Sequence, residues 1–95
     1  MEENVYLSIG NSDDKLSQRE WAQFITRVDA AVFNWNCKIH GKWFSAPDSM
    51  WQNANWCLQF DSEEDMKYAK EEIITIRRQY RQDSVAWAVG KVEFI

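Results

Sequence analysis

Cys37, His40 and Cys57 are the chain's only thiol and imidazole ligands. Cys37-x-x-His40 has a spacing at which two side chains can meet one metal ion. Cys57 would supply a third ligand, the number a catalytic zinc uses. A closed structural site needs four, and the sequence has neither a second CxxC nor an HxxxH. The plainer reading makes both cysteines small hydrophobes with free thiols, so no metal and no cofactor are expected. His40 is also the sole imidazole available as a general base, with Asp48 or Asp61 to orient it, but nothing in the spacing brings these groups together. Ser45 and Ser49 lack the glycine-flanked setting of an activated serine, and three scattered glycines make no phosphate-cradling loop. The expectation is a protein that is not an enzyme.

Recognition chemistry is better represented. Fifteen acidic against eleven basic residues leave a net charge of −4, with acid concentrated at Glu2-Glu3, Asp13-Asp14, between Asp61 and Asp65, and at Glu71-Glu72. That balance repels phosphate backbones, so nucleic acid is not the expected partner and a protein with a basic surface is. Solvated helix faces would account for the same acids without any partner. Aromatic residues make up 15% of the chain, and three tryptophans and a phenylalanine fall between His40 and Trp56. Trp56 is in phase with Leu58 and Phe60 and belongs to the core. Trp51, beside Met50 in the middle of a connection, has no periodic reason to be buried; it either packs across an open end of the fold or meets a partner. The candidate partner-binding residues are therefore Met50, Trp51, Trp43, Phe44, Asp48 and Tyr6, with Asp13, Asp14, Glu63 and Glu64 supplying charge.

The elements that must carry these residues are readable. Val5, Leu7 and Ile9 alternate with Tyr6 and Ser8, a half-buried strand stopped by Gly10-Asn11. Ser17 and Glu20 stand at the spacing of a capping box, with Leu16 and Trp21 at the positions of a hydrophobic staple. Trp21, Phe24, Ile25, Val28 and Val32 then recur at helical spacing, predicting a helix from about Gln18 to about Phe33. "CKIHGKWFS" and "NANWCLQFD" read as two strands of a hairpin joined by a long connection. In the first, Ile39/Trp43 and His40/Phe44 each offer an apolar face. Ser62 caps a second helix whose stripe is Met66, Ala69, Ile73, Ile76 and Tyr80, with acid at its start and Arg77, Arg78 and Arg81 near its end. "SVAWAVGKVEFI" is the last strand. Its apolar phase shifts between Val89 and Val92, which predicts a β-bulge near Gly90-Lys91.

The order β-α-β-β-α-β over a chain of 95 residues predicts one α+β domain of ferredoxin-like plan: a four-stranded antiparallel sheet with two helices on one face. The alternative is a rearranged sheet in which Gly90 separates two short strands. In the main reading, Tyr6, Ser8, Cys57 and Gln59 lie on the uncovered face together with one of the two pairs from the preceding strand. That face is a surface on which two copies could form a homodimer. No uncharged run is long enough to span a bilayer, and the opening Met1-Glu-Glu-Asn has no signal-peptide character, so the expected location is the cytoplasm.

The blocks "VYLSIGNSDDKLSQREW" and "HGKWFSAPDSMWQNANWCLQF" resemble small uncharacterised proteins of actinobacteria and their phages. The resemblance spans roughly residues 4 to 60 and brings no site residues with it. It implies a phage-borne accessory protein, and hence a stoichiometric, anti-CRISPR-like inhibitor of a host defence protein, acting in the host cytoplasm. An immunity protein neutralising a toxin nuclease would use the same acidic surface. From other classes, an RNA-binding module of recognition-motif topology and a small hydrolase remain as rivals.

Overall fold

The computed structural model describes residues 3–11 and 13–90. Its elements are β1 (Glu3–Gly10), α1 (Gln18–Asn34), β2 (Lys38–Phe44), β3 (Asn53–Phe60), α2 (Glu63–Gln79) and β4 (Ala86–Gly90). The sheet is antiparallel throughout, in the order β2-β3-β1-β4. Period-two alternation decides which side is covered. Val5, Leu7 and Ile9 of β1 and Ala54, Trp56, Leu58 and Phe60 of β3 are buried beneath the helices, and their alternates face outward.

Each helix begins where its chemistry dictates. The Ser17 hydroxyl accepts from the Glu20 amide at 3.1 Å, and the Glu20 carboxylate accepts from the Ser17 amide at 3.1 Å, completing the capping box. Leu16 and Trp21 are both buried in the core beside it. In α2 the Ser62 hydroxyl accepts from the amides of Glu64 and Asp65. The helix closes in a Schellman motif: Arg81 and Gln82 donate to the carbonyls of Arg78 and Arg77, with Arg81 at φ 55° in the region that favours glycine. Its guanidinium bonds Glu20 at 2.5 Å, tying the end of α2 to the start of α1. That contact, with the Ser17 amide, holds the Glu20 carboxyl below its usual acid constant.

β2 departs from both phases the sequence offered. The ladder pairs Ile39 with Leu58 and then Gly41 with Cys57, so His40 is an extra, bulged residue. The bulge splits each predicted pair. Ile39 and Phe44 fall on the helix side, and Phe44 packs edge-on against Trp56 at 5.8 Å. His40 and Trp43 go to the open face, where the His40 ring bonds the Gln59 side chain at 2.7 Å. Phe44 is therefore not an open-face residue. Lys42, also on the helix side, reaches both Asp29 oxygens at 3.1 Å, and the buried Trp56 indole donates to Asp29 at 2.9 Å. Burial opposes the Asp29 charge, but those donors and the Lys42 charge outweigh it and hold the carboxyl below its usual range.

In β4, Trp87 and Val89 pair opposite Leu7 and Val5 on the helix side, leaving Ala86 and Ala88 outward. Trp87 completes an aromatic group with Trp35 and Phe60. The bulge expected at Gly90-Lys91, and the phase change at Val92 and Phe94 that motivated it, lie outside the described residues.

Candidate protein-binding site

Two polar side chains fix the connection between β2 and β3. Asn11, buried just after β1, donates to the Leu16 carbonyl and to the Gln52 side-chain oxygen and accepts from the Leu16 amide, each at 3.0 Å. Its own amide donates to the Gln52 carbonyl at 2.9 Å. Gln52, also buried, exchanges hydrogen bonds with Gln18 at the start of α1. Three segments are thus clasped together at one end of the sheet. Ahead of the clasp, Ser45 and Asn53 close the loop through two more bonds, and the Ser49 hydroxyl accepts from the Trp51 amide at 3.1 Å.

The loop so held presents its apolar side chains to solvent: Met50 is 81% exposed and Trp51 67%. Trp51 does not cap the core. Asn11→Ala should cost about 2–3 kcal/mol of stability, because it leaves the Leu16 amide and carbonyl without their partner in a buried setting. Chemical denaturation measures this, and a loss under about 0.5 kcal/mol would mean that the clasp is not holding the loop.

The candidate residues divide among three places. Asp13 and Asp14 follow the C-terminal end of β1, at the same end of the sheet as Asp48, Met50 and Trp51. Glu63 and Glu64 start α2 after the C-terminal end of β3, which is antiparallel to β1, so they sit at the opposite end, about 26 Å away. The acids therefore make no single negative face. At the loop end, Lys15 is drawn to Asp83 at 2.6 Å and to Asp13 at 3.8 Å. Asp14 and Asp48 have no ion-pair partner among the described residues.

Tyr6 and Trp43 occupy the third place, the open sheet face, at 44% and 55% exposure. Tyr6 stands directly opposite Cys57, whose ionised form would repel a phenolate; with burial and a hydrogen bond to the thiol, this raises the phenol above its ordinary acid constant. Beside them the Ser8 hydroxyl donates to Asn55. Among the described residues this face carries no carboxylate: its outward positions are Asn, Ser, Gln, Cys and Ala around the two aromatics, with Lys38 and His40 at one edge.

The possible metal ligands are not assembled. Cys37 packs against the core, where burial pushes its thiol up, whereas His40 and Cys57 belong to the open face. Among the described residues no three His, Cys, Asp or Glu side chains stand close enough to hold an ion. The His40 partner is the Gln59 amide, not a carboxylate. Sequence reasoning did not find Asn11 and Gln52, whose only early signal was their position beside strand ends, nor the Asp29–Lys42–Trp56 contact.

The architecture has solved counterparts along nearly its whole length. The de novo designed protein Foldit4 superposes with a TM-score of 0.73 at 12% identity, covering 98% of this chain and all of the other. A dimeric protein of unknown function and ferredoxin-like fold from Bacteroides fragilis gives 0.59 at 16% identity, covering 96% of this chain and 95% of that one. The fold is ferredoxin-like. An uncharacterised NIPSNAP domain protein from Burkholderia xenovorans gives 0.52 at 6% identity, covering 98% and 95%. Likeness at these identities speaks for the ferredoxin-like fold and nothing further. No family model matches the chain, and no curated protein matches it. No helix among the described residues is long and apolar enough to cross a membrane.

Proposed function

We propose that this protein works by binding another protein, without catalysis, and that its working surface is the sheet end carrying Met50, Trp51, Asp48, Asp13 and Asp14. The observation behind this is the exposure of Met50 and Trp51 on a loop already clamped by Asn11 and Gln52. A loop held in place before binding loses little backbone freedom on contact, so more of the burial of its ring appears as affinity. Asp48 on the same loop, and Asp14 at the same end of the sheet, favour a partner with a basic patch. Stoichiometric inhibition of a host defence protein, by a phage-encoded chain in the host cytoplasm, is the version that the sequence resemblance suggests.

Affinity capture from an actinobacterial lysate, with the wild-type chain against Trp51→Ala, tests the reading. A basic protein retained by the first and lost by the second is expected. Tight binding of RNA that weakens steeply with salt, with no protein recovered, overturns it.

The open sheet face supports a homodimer as well. Among the described residues it lacks the carboxylates that would make two chains of net charge −4 repel each other there. Four strands of up to eight residues offer about 500 Å² of flat face per copy, near the lower limit for a specific interface. The expected dimer is accordingly concentration-dependent. Sedimentation should show it forming at micromolar to high-micromolar chain, and a strict monomer throughout that range would exclude it.

A further inference from the structure

Four of the ten lysines and arginines among the described residues are engaged by side-chain or carbonyl partners. Lys15, Lys42 and Arg81 make ion pairs, and Arg77 donates to the carbonyls of Gln82 and Asp83. Lys38, Lys67, Lys70, Arg78, Arg19 and Arg27 have no ion-pair partner among the described residues, and of these Arg19 and Arg27 both belong to α1. With Ala22, Gln23, Thr26, Ala30 and Tyr80 they line a shallow, open groove of about 590 Å³ along α1. Tyr80 is fixed in place, because its ring stacks on Phe24 at 4.9 Å. The residues of α1 that line this groove include two cations and no carboxylate, in a chain where acids outnumber bases.

We infer that this groove is a second docking site, independent of the Met50–Trp51 loop, and that it takes an amphipathic helical segment of a protein partner, apolar along one stripe and acidic on its flanks. Charge complementarity selects the acid. Eight residues of helix separate the arginines by about 12 Å along the axis, too far for one small anion to meet both and a natural match for carboxylates two turns apart. Ala22 and Ala30 let a second helix approach closely, and the mainly apolar lining, with Gln23 and Thr26 among it, calls for an apolar stripe above it. A lipid surface fits less well, since two arginines on a net-acidic chain supply little attraction to anionic headgroups.

The test is an NMR titration of the full chain with two synthetic helical peptides of about 18 residues, identical in their leucine stripe and flanked either by Glu or by Lys. The Glu-flanked peptide should shift amides between Arg19 and Ala30 and at Tyr80, and should bind at least about tenfold tighter than the Lys-flanked one. In the double variant R19E/R27E that order should reverse. Arg19 is exposed and Arg27 half-buried, neither with an ion pair to lose among the described residues, and a melting curve matching the wild type confirms that the variant is folded. Equal binding of the two peptides, no binding of the Glu-flanked peptide at millimolar concentration, or shifts centred on the open sheet face or on Met50 and Trp51 overturns the inference.

Discussion

Trp56→Ala should remove about 3–5 kcal/mol of folding stability, the usual loss when a large buried ring is cut back to a methyl group. The ring is 1% exposed, with Phe44 edge-on against it and its indole donating to Asp29. Truncation opens a cavity between β3 and the helices and also takes from Asp29 one of the donors that keep its carboxylate ionised. For a single small domain with about 5–15 kcal/mol in total, a loss of that size leaves little margin. Urea unfolding measures it, with the indole-to-Asp29 bond separable in Trp56→Phe, which retains most of the ring. A loss below about 1 kcal/mol for the alanine variant would remove Trp56 from the core.

Five residues earlier the same substitution should behave oppositely. Trp51→Ala should leave the melting temperature within about 1–2 °C of the wild type, because the ring is already largely in water. Against the captured partner it should cost about 2 kcal/mol or more of binding energy, the scale of a tryptophan at the centre of an interface. Calorimetry with the purified partner reads this directly. Unchanged affinity would move the contact away from the loop, and a large fall in the melting temperature would contradict the exposure of the ring.

The contrast between the two tryptophans marks the limit of what sequence alone conveys. Trp56 alternates with Leu58 and Phe60, and a period of two names its face without any structure. Trp51 lies in a loop, where no period exists; its environment is set by Asn11 and Gln52, 41 positions apart, and a contact of that range leaves no local pattern. The helix starts were legible because a capping box is local chemistry, complete within Ser17 to Glu20. β2 was not legible, for two reasons. It is an edge strand with little burial to polarise its faces, and its bulge at His40 breaks the alternation on which any assignment depends. The acids illustrate a third limit. Runs at Asp13-Asp14 and Glu63-Glu64 look alike as text, but the antiparallel course of β1 and β3 sends them to opposite ends of the molecule.

The His40 bulge has a bearing on how the protein behaves when concentrated. An edge strand presents a row of unpaired amides and carbonyls, and a long, flat one serves as a template onto which further chains add strand by strand. In β2 the ladder is interrupted after its second residue, the strand is bent and twisted there, and Lys38 and Lys42 stand on either side. An incoming strand finds no continuous register to copy and meets positive charge as it tries. The irregularity that hid β2 from sequence reading thus also works against strand-by-strand addition at an edge that exposes Trp43 and Phe44.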